Sequence, residues 1–121
     1  MITLLMALAG GLGAAARYGV DVRLSPPAQA RFPHATLAVN LTGSLGLGLL
    51  VGASASSALL TVLGTGLLGG YTTFSSASVE VARRALEGQR TDGLLTAAIM
   101  MIGCLAAASV GVVLGPGCLT W

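Results

Sequence analysis

The chain has 121 residues, of which 55% are hydrophobic and only 8% charged, and its formal net charge is +2. Soluble domains carry about 25% charged residues, whereas residues 1–16, 35–79 and 93–121 of this chain carry no charge at all. This distribution excludes a soluble globular domain and predicts an integral membrane protein. The few arginines flank the apolar runs and form no basic stripe, so nucleic-acid binding is not indicated.

The first apolar run predicts a transmembrane helix over residues 1–18. Its small residues offer a face for close helix contact: Gly10, Gly13, Ala14 and Ala16. Residues 21–32 then form a connection, because Pro26 and Pro27 argue against a continuous helix there.

Residues 35–79 are uncharged and too long for one crossing. A single helix of that length would span about 67 Å, more than twice the roughly 30 Å of the hydrocarbon core. The small polar residues 53–57 are the best place for a turn, which predicts a second helix over 34–52 and a third over 58–86. Asn40 lies at bilayer depth in the second helix, where an amide needs a partner. It could either join two helices or line a polar path.

The third helix contains the least helix-like stretch of the chain, residues 69–78. Two adjacent glycines are followed there by five hydroxyl residues: Thr72, Thr73, Ser75, Ser76 and Ser78. Glycine lowers helix stability by about 1 kcal/mol relative to alanine, and a membrane tolerates an interrupted helix only inside protein or beside a polar cavity. The pattern therefore predicts a break at 69–73.

Such a break exposes groups that could bind ions of either sign. Carbonyls freed near Gly69 and Thr72 could coordinate a small hard cation. Threonine and serine hydroxyls can donate hydrogen bonds to a small anion, and the ring edge of Phe74 carries a partial positive charge.

Beyond the break, Glu80 precedes Arg83 and Arg84 by three and four residues, a spacing that allows ion pairs on one helical face. Glu80 could be part of a solvated salt bridge at the membrane surface, or a proton-carrying or structural carboxylate. A polar connection follows, and residues 93–114 predict a fourth helix with mainly a packing role.

The six arginines all fall at the first and third connections. Four crossings put these connections on the same side of the membrane, so the positive-inside rule predicts that both termini lie outside the cytoplasm.

The chain has no nucleophile–base pair, metal-ligand triad or phosphate loop, and an enzymatic function is not predicted. A small proton-coupled multidrug exporter is an alternative, but such proteins place an acid in the first helix, and residues 1–16 contain none. A structural membrane subunit is a second alternative. Four short spans enclose a pathway poorly, so we expect an oligomer.

Three segments occur in the order of a known family: residues 10–14 (GGLGA) followed by Arg17-Tyr18, residues 36–43 (TLAVNLTG), and residues 69–75 (GGYTTFS) leading to Ser78 and Glu80. With these segments the chain resembles the Fluc/CrcB family of fluoride-specific channels. The resemblance implies an all-α membrane protein of four transmembrane helices with a break in the third, assembled as an antiparallel dimer in the bacterial cell membrane. It also implies passive export of fluoride from the cytoplasm, which lowers fluoride toxicity.

The resemblance further implies a structural sodium ion (Na+) at the dimer centre, held by the backbone carbonyls of Gly69 and Thr72 and their equivalents in the second subunit. Asn40 and Phe74 would lie on the fluoride pathway, with the hydroxyls of Thr73 and Ser75 beside them. Arg17 and Glu80 match family positions to which we assign no role at this point.

The chain departs from the family pattern in two places. Ala77 stands where a second phenylalanine is usual, and the fourth helix lacks a tyrosine and much of a hydroxyl track. The one-sided arginines add a third peculiarity, because a subunit that pairs antiparallel with itself should insert in both orientations. We therefore hypothesise an obligate pair with an oppositely oriented homologous subunit.

Overall fold

The structure, a computed structural model, describes residues 1–24 and 33–116. This part of the chain is helical apart from short turns and one break, and contains no strand. The helices are α1 (Ile2–Leu24), α2 (His34–Gly52), α3 (Ser57–Leu59), a π-helix (Leu60–Leu68), α4 (Gly69–Tyr71), α5 (Phe74–Leu86) and α6 (Arg90–Leu114). The all-helical class predicted from the sequence is confirmed.

Three of these helices are long and apolar enough to cross a membrane: α1, α2 and α6. The predicted crossing over 58–86 is divided among shorter elements, from α3 to α5. The chain is thus a membrane protein with three continuous candidate spans, and the crossing over 58–86, the third in chain order, stays a prediction.

The first helix is longer than predicted. We expected it to end near Tyr18, with a connection from Asp21 onward, but α1 continues to Leu24. No glycine or proline interrupts the sequence between Gly19 and Leu24, so nothing local ends the helix at Tyr18. The rest of the predicted connection, residues 25–32, lies outside the described residues.

The turn predicted at 53–57 separates α2 from α3. Helix α2 ends at Gly52, and the Ser56 hydroxyl accepts a hydrogen bond from the Leu59 N–H at 3.4 Å, which caps α3. The π-helix that follows was not predicted. Hydrophobic periodicity gives no clear signal for it, because residues 60–68 are mostly apolar, carry no charge and contain no helix-breaking proline.

Close backbone contacts at glycines determine how the helices pack. On one side, α1 lies against the π-helix and α4, where Gly13 approaches Leu67 and Gly70 approaches Gly10. On the other side, α2 lies against α6, where Gly48 meets the carbonyl of Ala108. Small residues allow this approach in a membrane, where packing replaces the hydrophobic drive.

The contact between α2 and α6 can be tested by adding one methyl group. A Cβ at Gly111 would lie 2.8 Å from the backbone nitrogen of Leu49, too close for either helix to stay in place. We expect Gly111→Ala to cost about 1–3 kcal/mol and to lower the thermal unfolding temperature of the detergent-purified protein. Gly11→Ala is the control, because a Cβ there meets nothing within 4 Å. An unchanged unfolding temperature for Gly111→Ala would contradict this packing.

Candidate functional site

The third crossing is interrupted at two residues, Thr72 and Thr73. Thr72 has φ −76° and ψ 162°, and Thr73 has φ −145° and ψ 119°, both in extended conformation. The interruption falls inside the predicted stretch 69–73, but it is narrower, because Gly69–Tyr71 is still helical. The chain therefore presents the carbonyl end of one helical segment and the N–H end of the next, α5, at the same place.

Asn40 of α2 holds the interruption through two hydrogen bonds to Thr73. Its Nδ2 donates to the Thr73 carbonyl at 2.9 Å, and its Oδ1 accepts from the Thr73 N–H at 2.8 Å. One side chain thus replaces both helical partners that an extended Thr73 gives up. An amide has two N–H donors, so one N–H of Asn40 remains outside this pair of bonds.

The Thr73 side chain serves the second helical segment. It is 7% exposed, and its Oγ1 accepts from the Ser76 N–H at 3.1 Å, the usual N-cap interaction. The same hydroxyl lies 3.1 Å from Ser76 Oγ, to which it donates, and 3.3 Å from Ser75 Oγ. Ser75 itself is exposed. The predicted hydroxyls therefore form a connected group at the start of α5, with Thr73 inside and Ser75 at the surface.

The carbonyl end of the break carries oxygen atoms suited to a hard cation. The Thr73 N–H donates to Asn40, so it does not close a helical bond to the Gly69 carbonyl four residues earlier. Gly69 is exposed. Both the N–H and the hydroxyl of Thr72 donate to the Leu68 carbonyl, at 2.8 and 2.9 Å. The helix dipole makes this end negative, and unwound backbone carbonyls are a known donor set for Na+. The residues present therefore fit the ion that the family resemblance implies.

Arg17 of α1 reaches this same end. Its Nη1 donates to the Thr72 carbonyl at 3.4 Å, and the residue is half-buried. Sequence reasoning identified Arg17 only as a residue of the family pattern. A contact between residues 55 positions apart leaves no local signal in the sequence.

Sequence reasoning missed a second hydrogen bond that links α2 to the residues just before the break. The hydroxyls of Thr42 and Tyr71 lie 2.9 Å apart. Thr42 also donates to the Ala38 carbonyl at 2.7 Å, and because a hydroxyl has a single proton, Tyr71 must donate to Thr42. The position of Thr42 two residues after Asn40, on a polar helix segment, was the available signal.

Phe74 begins the second helical segment and projects from the chain, with 87% of its surface exposed. It lies at the edge of an open, mostly apolar groove of about 790 Å³. The groove is bounded by α2, the π-helix, the break, α5 and α6, and Asn40, Ala77 and Cys104 are among its lining residues. Ala77, at the position where a second phenylalanine was expected, thus contributes only a methyl group to the groove wall.

Glu80 lies away from the break and forms ion pairs within α5. Its carboxylate is 3.1 Å from Arg83 Nη2 and 2.9 Å from Arg84 Nε. Arg84 is only 5% exposed, so the second pair is largely shielded from solvent. The predicted spacing of the ion pairs is confirmed. The alternative that Glu80 carries protons is not tested by this geometry.

Two hydroxyls in the interior of α6 bond to carbonyls of their own helix. Thr96 donates to the Asp92 carbonyl and Ser109 to the Leu105 carbonyl, each at 2.8 Å. This geometry agrees with the packing role predicted for the fourth helix.

Comparison with known proteins identifies relatives over almost the whole chain. The sequence profile of the family described as "CrcB-like protein, Camphor Resistance (CrcB)" matches residues 4–112. The fluoride-specific ion channel FluC 1 of Leifsonia xyli subsp. xyli is 44% identical over 95% of this chain and 87% of its own length.

Two further relatives have the same kind of name. The fluoride-specific ion channel FluC 2 of Cutibacterium acnes is 44% identical over 95% of this chain and 98% of its own length. That of Idiomarina loihiensis is 40% identical over 84% of this chain and 82% of its own length. With a family profile that covers nearly all of its residues and relatives of this similarity, the chain belongs to the CrcB-like family.

Proposed function

We propose that this chain is a subunit of a passive channel that carries fluoride out of the cytoplasm. Its relatives are named fluoride-specific ion channels, and membership in their family identifies it as an ion-channel protein and not an enzyme. The observation that carries the proposal is the interrupted helix. The Asn40 amide, the connected hydroxyls at the start of α5 and the exposed Phe74 ring all lie beside it. Nothing in this geometry favours a proton-coupled exporter.

The chemistry at the start of α5 suits a small anion. Fluoride can exchange its water for hydroxyl and amide donors: the Ser75 hydroxyl, whose proton can rotate from Thr73 Oγ1 toward the ion, and the remaining N–H of Asn40. The edge of the Phe74 ring offers a weak positive potential. Conduction needs sites that bind strongly enough to admit an ion and weakly enough to release it. Several weak donors in a row meet that requirement better than one strong positive charge.

The proposed sodium ion would lie at the carbonyl end of the break, with Gly69 and Thr72 as its ligands in this chain. When bound, it would supply positive charge that offsets the negative helix end. The exposure of Gly69 supports a site shared with a second subunit, because one chain offers too few oxygens to surround a cation.

The second subunit in this proposal is an antiparallel homologue and not a copy of the chain. Ala77 leaves the groove wall without a second ring, and the six arginines bias insertion toward one orientation, with both termini outside the cytoplasm. An oppositely oriented homologue would supply the missing pore groups and complete the site.

Reconstitution tests the function and the pairing together. Liposomes loaded with fluoride would contain the chain alone or with its homologous partner, and efflux would be followed with a fluoride electrode. We expect rapid fluoride efflux and no chloride efflux from the pair, and little from the chain alone. Efflux from the chain alone would refute the obligate pair, whereas no fluoride efflux from either sample would refute the channel.

Asn40→Leu should disrupt the break, because the Thr73 N–H and carbonyl both lose their partner. Each unsatisfied buried group costs about 1–3 kcal/mol, so we expect at least about a tenfold slower efflux and a lower unfolding temperature. Thr61→Val is the control, since its hydroxyl donates to the Ser57 carbonyl of the adjoining α3, four residues earlier and away from the break. Normal efflux from Asn40→Leu would show that the break does not need this residue.

Phe74→Ile should abolish efflux without destabilising the chain. The ring is 87% exposed in the single chain, so its removal costs little packing but takes the positive ring edge from the pathway. Leu86→Ala, on the same helix and 89% exposed, is the matched control. Efflux and unfolding temperature would be measured side by side, and undiminished efflux from Phe74→Ile would remove this residue from the pathway.

A further inference from the structure

Arg17 places a fixed positive charge at the oxygen to which the family resemblance assigns a cation. Its guanidinium donates to the Thr72 carbonyl at 3.4 Å, a long contact for an N–H···O hydrogen bond. A contact of this length depends more on charge than on hydrogen-bond direction. The contact joins two helical segments that are 55 positions apart in the chain, so it fixes the guanidinium of α1 at the break.

A guanidinium and a bound cation on the same carbonyl repel each other. The oxygen has two lone pairs and can accept both, so Arg17 does not block the site sterically. Coulomb repulsion between charges a few ångströms apart is large where water is partly excluded, and Arg17 is half-buried. The repulsion also scales with the charge of the ion, so it is twice as large for a divalent cation as for a monovalent one.

We propose that Arg17 determines the affinity and the valence selectivity of the cation site: its charge weakens binding of Na+ at the Thr72 carbonyl and weakens binding of divalent cations more strongly. This inference rests on the proposed function, because it concerns the same cation site. Arg17 is then a specificity-determining residue, and its contact with the Thr72 carbonyl is the physical basis of that role.

Cation-dependent thermal stability tests the proposal without relying on conduction. The assembly that conducts fluoride in the efflux experiment would be purified in detergent. Its unfolding temperature would be measured against Na+ and against Ca2+, with N-methylglucamine replacing Na+ at constant ionic strength. Arg17→Gln removes the charge, Arg17→Lys keeps it, and Arg23→Gln removes an exposed positive charge from the same helix as the control.

For Arg17→Gln we expect the Na+ concentration at half-maximal stabilisation to fall at least about tenfold, and that for Ca2+ about a hundredfold. The repulsion energy doubles for a divalent cation, and the dissociation constant depends exponentially on that energy, so the factor for Na+ is squared. Arg17→Lys and Arg23→Gln should stay within about threefold of the unchanged protein. Should Arg17→Gln not fold, Arg17→Met provides the same loss of charge with an apolar side chain that tolerates burial.

Equal Na+ midpoints for the neutral variants and the unchanged protein would overturn the proposal. So would a Lys variant that behaves like the Gln variant, since charge would then not be the cause. If the unchanged protein is not stabilised by Na+ at all, the cation site and this inference both fail. Fluoride efflux from the same preparation would then show separately whether the channel function stands.

Discussion

The two hydrogen bonds between Asn40 and Thr73 are the interaction on which the rest of this structure depends. A backbone group left unpaired in a bilayer costs several kcal/mol, and an extended Thr73 leaves both its N–H and its carbonyl without helical partners. A single amide side chain, with one donor and one acceptor in the same plane, satisfies both at 2.9 and 2.8 Å. The interruption is stable only while α2 stays in register with the third crossing.

That register is maintained by contacts on both sides of α2 and the third crossing. Close glycine contacts fix α2 against α6 and fix the π-helix and α4 against α1. The hydrogen bond from Tyr71 to Thr42 adds a second link two residues along α2 from Asn40. Loss of any of these contacts would move the carboxamide relative to Thr73, so helix packing far from the break affects the geometry of the break.

The break separates two kinds of chemistry along one short stretch of chain. Carbonyl oxygens and Arg17 meet before it, and hydroxyls, N–H groups and the Phe74 ring follow it. A cation at the first end and an anion at the second are compatible because the helical segments present opposite dipole ends. Gly69 and Phe74 are both exposed in the single chain, which is why the proposed channel needs a second subunit to complete both sites.

The sequence by itself determined the membrane setting, the turn after Gly52 and the region of the break, because charge, length and glycine content act locally. It also indicated the ion pairs of Glu80, since their spacing follows from helix geometry alone. Only the tertiary structure decided which oxygen Arg17 contacts, that Asn40 binds Thr73 and that the Thr73 hydroxyl caps α5 instead of facing outward. The continuation of α1 to Leu24 and the π-helix also required the structure. The contacts of Arg17 and Asn40 join residues 33 to 55 positions apart, and helix packing, which no local pattern encodes, brings them together.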